Sequence, residues 1–253
     1  MGSPASILQK PEVFAGTAGW SVPRNESHKF PEAGTHLERY SAVLRAAEIN
    51  SSFYRPHSAQ LYSKWADSVP ADFRFSVKIP KSITHEKRFR DVQGLLDAFC
   101  LEIGGLGAKL GCLLVQLPPS FAFEAKLATQ FFKDLRSRVK TDIACEARHA
   151  SWFETNADTL LKKFKVARVA ADPALVPAAG VPSGHTSFCY YRLHGSPRMY
   201  YSQYSEAYIK RLARSIGKLP AAKCVWCFFD NTASGAAASN ALQLADIFAS
   251  ERT

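Results

Sequence analysis

The chain has 253 residues, 47% of them hydrophobic, and a formal net charge of +10 at pH 7. This length and apolar content fit a globular protein with a full core, and no run of about 18 apolar residues is present to span a membrane. The positive balance favours anionic partners such as phosphates, nucleic acid or acidic metabolites, with generic surface charge as the plainer account.

Residues 1–12 are expected to form a flexible N-terminal segment, and 13–250 one domain. Val13 to Trp20 is a short apolar run ending in small residues, which predicts a strand whose end admits close approach. Thr35 with Glu38 forms a capping box for a helix bearing Leu37, Tyr40 and Leu44. Glu48 to Tyr54 is expected as the second strand, with Glu48, Asn50, Ser52 and Tyr54 on its polar face. A short helix holds Leu61, Tyr62 and Trp65. The third strand is Phe73 to Ile79, with Lys78 on its polar side. The loop beyond it carries Lys81, His85, Lys87, Arg88 and Arg90, the densest basic stretch in the chain.

Val92, Leu96 and Phe99 mark a helix, and Cys112 to Leu117 the fourth strand, with Gln116 as its strongly polar residue. A helix with Leu127, Phe131 and Leu135 leads to the fifth strand. That strand runs from Ile143, Ala144 and Cys145 straight into Glu146, Arg148 and His149. Glu146 and Arg148 are two apart, so they share a face, and such charges on a buried strand need pairing or a polar cavity. Asn156 is expected to cap the next helix. Val166 to Asp172 is the sixth strand and Phe188 to His194 the seventh, with Tyr190, Arg192 and His194 on one face. Cys224 to Phe229 is the eighth, ending at Asp230-Asn231, and a last helix carries Ala241, Leu244 and Phe248.

Eight strands, each followed by a helical segment and with no linker between halves, predict a single-domain α/β fold. The layout is a TIM-type (β/α)8 barrel of parallel strands with helices outside. The six cysteines read as buried thiols in a reducing compartment. Cys224 and Cys227 are formally C-x-x-C, but residues three apart on a strand face opposite sides. With no secretory signal visible, the expected location is cytoplasmic.

Active sites of such barrels sit at the C-terminal strand ends. The polar residues collect there, and a site at the mouth is expected. Glu146, His194 and Asp230 are the candidate catalytic residues. Asn50, Tyr54, Lys78, Gln116, Arg148, His149, Arg192 and Asn231 are the candidate substrate-binding residues. Each also has a plainer role: Glu146 neutralising an arginine, Asp172 in a turn, Asp230-Asn231 as a cap, His194 in the core. The sequence contains no G-x-S-x-G, Walker loop or dinucleotide fingerprint, which leaves the cofactor unknown.

The ordered motifs identify a resemblance. They are Gly16-Thr-Ala-Gly-Trp-Ser21, Glu48-Ile-Asn-Ser-Ser-Phe-Tyr-Arg55, Phe75-Ser-Val-Lys78 and Ile83-Thr-His85. Further along stand Gln116-Leu-Pro-Pro-Ser-Phe121, Glu146-Ala-Arg-His-Ala-Ser-Trp-Phe153, Tyr191-Arg-Leu-His-Gly195 and Phe229-Asp-Asn231. Over about residues 13 to 248 the chain resembles the DUF72, or YecE-like, family. The resemblance implies a TIM-barrel fold and no defined mechanism. Asp230 stands where that pattern often has Asn, which adds a negative charge at the mouth.

Three functional expectations follow. One is an enzyme for a small anionic substrate, with Lys78, Arg148 and Arg192 holding the anion and Glu146 and His194 moving protons. The second is a nucleic-acid-binding protein using Lys81 to Arg90 and Tyr200, Tyr201 and Tyr204 beside Arg198. The third is a metal-dependent, nuclease-like hydrolase using Glu146, Asp172, His194 and Asp230.

Overall fold

The computed structural model describes residues 11–219 and 224–250. Its strands are β1 Glu12–Ala18, β2 Ala46–Ile49, β3 Arg74–Lys78, β4 Leu110–Gln116, β5 Asp142–Glu146, β6 Val166–Arg168, β7 Ala170–Asp172, β8 Ser183–Gly184, β9 Phe188–Leu193 and β10 Cys224–Phe229. The helices are α1 His36–Ser41, α2 Ser51–Tyr54, α3 Ala59–Asp67, α4 Gln93–Ile103, α5 Ala125–Arg138, α6 Thr155–Lys163, α7 Glu206–Gly217 and α8 Ala236–Ser250. Residues 1–10 of the expected flexible segment lie outside the described residues, and Glu12 already belongs to β1.

The ten strands form one sheet in the order β7-β9-β10-β1-β2-β3-β4-β5-β6-β8. Neighbours are parallel except β6 with β8. The architecture is an α/β barrel-like one with a nearly closed mixed sheet, and it departs from the expected eight parallel strands. The difference lies in the sixth strand. Val169 divides it: β6 pairs with β5, whereas β7 pairs with β9. The segment Ser183–Gly184 folds back antiparallel onto β6 at Ala167 and Arg168. It is fixed there by Asp158, whose Oδ1 accepts from Gly184 N at 2.9 Å. Gly184 has φ +70°, and a Cβ on it would stand 2.6 Å from the Val166 carbonyl oxygen. Only glycine enters this turn without strain.

Alternation along the strands sorts the core into two sets. Val13, Leu113, Val115, Tyr191, Leu193, Val225 and Phe229 join the helix-facing cluster. Phe14, Leu114, Phe188, Tyr190, Trp226 and Phe228 join a second cluster from the alternate positions, inside the sheet. Cys227 belongs to the first set and Cys224 packs against the second, so the C-x-x-C pair does face apart. All six cysteines are free thiols.

Two local expectations change. The second strand is Ala46–Ile49, and Ser51–Tyr54 is a short helix rather than its continuation. Asn156 is not a cap: it lies inside α6, whose N-cap is Glu154. The capping box at Thr35 forms as expected, with Thr35 N donating to Glu38 Oε2 at 2.7 Å and Glu38 N to Thr35 Oγ1 at 3.3 Å.

The junction of β1 and β2 is unusually close. The Tyr40 hydroxyl bridges it, accepting from Thr17 N at 2.8 Å and donating to Ala46 O at 2.8 Å. A Cβ on Gly16 would stand 2.0 Å from that same carbonyl oxygen. Gly16→Ala must therefore push the strands apart. It is expected to cost about 1–3 kcal/mol, the usual overpacking penalty, measured as a lowered urea midpoint. An unchanged midpoint would refute the close-approach account.

Candidate functional site

The strand ends carry a buried polar cluster. Glu48 on β2, Lys78 on β3, Gln116 on β4, Glu146 on β5 and Arg192 on β9 are all buried, as is His194 just past β9. Asp230 follows β10 directly. Alternation places these residues on the same face as the inner core cluster, one layer above it.

Arg192 is the hub. Its side chain is 1% exposed. Nε donates to Glu48 Oε2 at 3.0 Å and Nη2 to Glu48 Oε1 at 2.6 Å, a fork-on-carboxylate pair. Nη1 donates to Glu146 Oε2 at 2.7 Å, and Nη2 also reaches Asp230 Oδ2 at 3.1 Å. Tyr190 completes the Glu48 shell by donating to Oε2 at 2.7 Å, and it shares a 2.7 Å hydrogen bond with Ser76. A guanidinium committed to three carboxylates orients those carboxylates. It has little donor capacity left for a ligand.

His194 lies between two acids. Nε2 is 2.9 Å from Glu146 Oε1, and Nδ1 is 3.0 Å from Asp230 Oδ2. Burial alone would lower its pKa, but Glu146 and Asp230 outweigh burial and raise it above the ordinary value. Both acids are themselves held ionised. Burial pushes Glu146 up, yet Arg192, His194 and Arg148 carry it well below the usual carboxylate range. Burial likewise opposes ionisation of Asp230, and Arg192 and His194 lower it. Two ionised acceptors are both satisfied by an imidazolium, the form that these neighbours favour.

Lys78 and Gln116 are 7% exposed each. Among the described residues, neither the Lys78 ammonium nor the Gln116 amide has a hydrogen-bond or ion-pair partner. Lys78 Nζ sits 4.0 Å over the Phe53 ring. Burial, reinforced by Arg192, drives its pKa down to about 8, against the pull of Glu48, Glu146 and Asp230. Arg148 gives two hydrogen bonds to Glu146 Oε1, at 3.1 and 3.0 Å, and its side chain is 24% exposed. His85 registers the positive field: burial and then Lys78, Arg148 and Arg88 pull it down to about 4. Glu146, Arg148 and His194 also line a cavity of about 330 Å³.

The side chains of Tyr54, Asn50, His149, Asn231 and Asp172 make no hydrogen bond to this cluster among the described residues, although Asp172 O accepts from His194 N at 2.8 Å. Tyr54 is 70% exposed on α2. Asn50 is half-buried at the end of β2, and its Oδ1 has no hydrogen-bond partner. His149 Nδ1 accepts from Ser151 N at 3.3 Å and caps the turn Ala150–Phe153. Asn231 is buried and ties Ser202 O to Asn240 Oδ1, so it braces a loop against α8. Asp172 accepts from the Tyr204 hydroxyl at 2.8 Å. Tyr204 was expected to be exposed with Tyr200 and Tyr201, but it is 4% exposed, because its hydroxyl bonds Asp172 and Gly195 N and its ring packs on Tyr208. In the basic loop, Lys81 pairs with Glu86, Arg88 bonds Ser120 and Arg90 pairs with Glu124.

A family model described as "Protein of unknown function DUF72" matches residues 14–253. The chain belongs to the DUF72 family. It is 27% identical to UPF0759 protein YecE of Escherichia coli K12 over 173 residues, covering 66% of this chain and 61% of YecE. It therefore spans less than two thirds of that relative. A DUF72 family protein from Thermotoga maritima has a structure matching with a TM-score of 0.78 at 28% identity, over 94% of this chain and 99% of that one. One from Enterococcus faecalis V583 matches with a TM-score of 0.78 at 22% identity, over 94% and 95%.

Three of the resembling DUF72 segments supply the ion network: Glu48, then Glu146 with Arg148, then Arg192 with His194. Asp230, at the position where the pattern often has Asn, supplies the second acceptor for His194. Sequence reasoning named neither Glu48 nor His85 as a site residue. Arg192 on an inner strand face was the available signal for Glu48, since a buried guanidinium has five N–H donors and one carboxylate does not satisfy them all. Among the described residues, no group of three or more His, Cys, Asp or Glu side chains is placed to hold a metal ion. Among them also, no helix is long and apolar enough to cross a membrane.

Proposed function

We propose that the mouth is an active site for a small anionic substrate, worked by proton transfer. The observation that carries this is a pair of largely buried side chains, Lys78 and Gln116, whose head groups make no hydrogen bond or ion pair among the described residues and are not closed off from solvent. An ammonium drawn largely out of water is costly, and a ligand anion would satisfy it. The charge count agrees: Lys78, Arg148, Arg192 and His194 stand against Glu48, Glu146 and Asp230, an excess of one positive charge. Lys78 and Arg148 hold the anion, and Gln116 donates its amide. His194 is the proton source, kept protonated by Glu146 and Asp230; both its N–H groups are bonded to those carboxylates, so its proton reaches the substrate by way of Asp230, the more exposed of the two. Glu48 and Arg192 position those acids. Hydrolysis and isomerisation both need such an acid, and the proposal extends to acid–base chemistry in general. It places the reaction at the open end of a TIM-type barrel in which β6 and β7 count as one strand.

The test is calorimetric titration with inorganic phosphate at about pH 7. Lys78→Met is expected to weaken binding by about 10- to 100-fold, the worth of one charge-assisted hydrogen bond. Wild-type affinity should also fall as pH rises through about 8, where Lys78 loses its proton. Affinity that is flat across that range, with Lys78→Met binding normally, would remove Lys78 from the site.

A further inference from the structure

The cavity beside the ion network has two unlike walls. One is Glu146, Arg148 and His194; the other is apolar, with Pro173, Leu175 and Met199. Leu175 is 60% exposed and Met199 39%. Both are large hydrophobic side chains left facing solvent at the rim of a charged site. Burying them on a ligand is favourable in proportion to the apolar area covered. A sugar or a nucleic-acid backbone would set hydroxyls or phosphates against that wall and leave them unpaired. Arg148 lies at the boundary. Two of its donors bond Glu146, and its guanidinium also interacts with the Tyr200 hydroxyl, while its side chain stays 24% exposed.

We infer that the substrate is amphipathic: a small anion whose charged head meets Arg148 in the cavity wall and whose apolar tail lies against Leu175 and Met199. This rests on the anion site proposed above and adds the chemical class of the rest of the molecule. About 330 Å³ holds a tail the size of a phenyl ring or a short alkyl chain. The hydrophobic rim is a specificity element and takes no part in proton transfer.

The experiment is calorimetry of the full chain with inorganic phosphate, glucose 6-phosphate and phenyl phosphate. Phenyl phosphate is expected to bind about tenfold or more tighter than inorganic phosphate, with glucose 6-phosphate showing no such gain. In Leu175→Ser with Met199→Ser, the ratio of phenyl phosphate to inorganic phosphate affinity should fall towards one. Both substitutions are at exposed positions, so the fold tolerates them. Equal affinities for the two ligands in wild type, a preference for glucose 6-phosphate, or a ratio unmoved by the double variant would overturn the inference and leave the anion site standing. No binding of any of the three would remove the anion site and this inference together.

Discussion

Replacing Arg192 with leucine is expected to cost at least about 3–5 kcal/mol, enough to unfold a large fraction of the protein at 37 °C. The variant leaves Glu48, Glu146 and Asp230 buried without the guanidinium that contacts all three. Loss of one partner of a single buried pair already costs about this much. The pH dependence identifies the cause. In the native protein Glu146 and Asp230 have depressed pKa values, so their contribution is present at neutral pH and lost on acidification through those values. Without Arg192 the depression is smaller, because the leading cation is gone and His194, with Arg148 at Glu146, is left to oppose burial. The variant therefore loses less stability on acidification than the wild type. Urea unfolding should show the deficit of Arg192→Leu shrinking as pH falls from about 5 through the ordinary carboxylate values. A deficit below about 1 kcal/mol, or one that does not change with pH, would mean that the network is not what holds the mouth together.

Much of this arrangement was legible in the sequence, because strands at the centre of the sheet advertise themselves. Phe188 to Leu193 alternates between two buried surfaces, and all six residues are buried. Arg192 among such residues had to be paired, and Glu146 had to face a cation. The second strand was misplaced for a physical reason. Glu48, Asn50, Ser52 and Tyr54 alternate with Ile49, Ser51 and Phe53, and a period of two over so few residues does not separate a strand end from one helical turn. The strand proper, Ala46–Ile49, opens on two alanines and carries no β-branched signal before Ile49. The split at Val169 was invisible because its cause is remote. Gly184, fifteen or so residues on, returns to pair with β6. Tyr204 looked exposed in a polar loop, and only the distance to Asp172 shows otherwise. Local pattern reports which residues are buried. It does not report which buried partner they find.

Lys78→Met should make the protein more stable while weakening anion binding by about 10- to 100-fold. Lys78 is buried, its ammonium has no ion pair among the described residues, and its proton is released at about 8 in place of 10.5. At about 1.4 kcal/mol per pKa unit, keeping it charged in the fold costs up to about 3 kcal/mol at neutral pH. Methionine fits the same channel along Phe53 and carries no charge to desolvate, and such replacements gain about 1–4 kcal/mol. The unfolded chain holds the lysine proton up to about 10.5, whereas the folded chain releases it near 8, so wild-type stability rises with pH between those values. The advantage of Lys78→Met should therefore be largest at about pH 7 and nearly gone by about pH 10. Adding phosphate at about pH 7 should narrow the gap as well, because the anion binds the wild type more tightly and stabilises it more. A variant less stable than wild type at neutral pH, or a gap that responds to neither pH nor phosphate, would show that the ammonium is already satisfied within the fold. If both responses appear, this lysine is retained at a cost to stability because the site needs its charge.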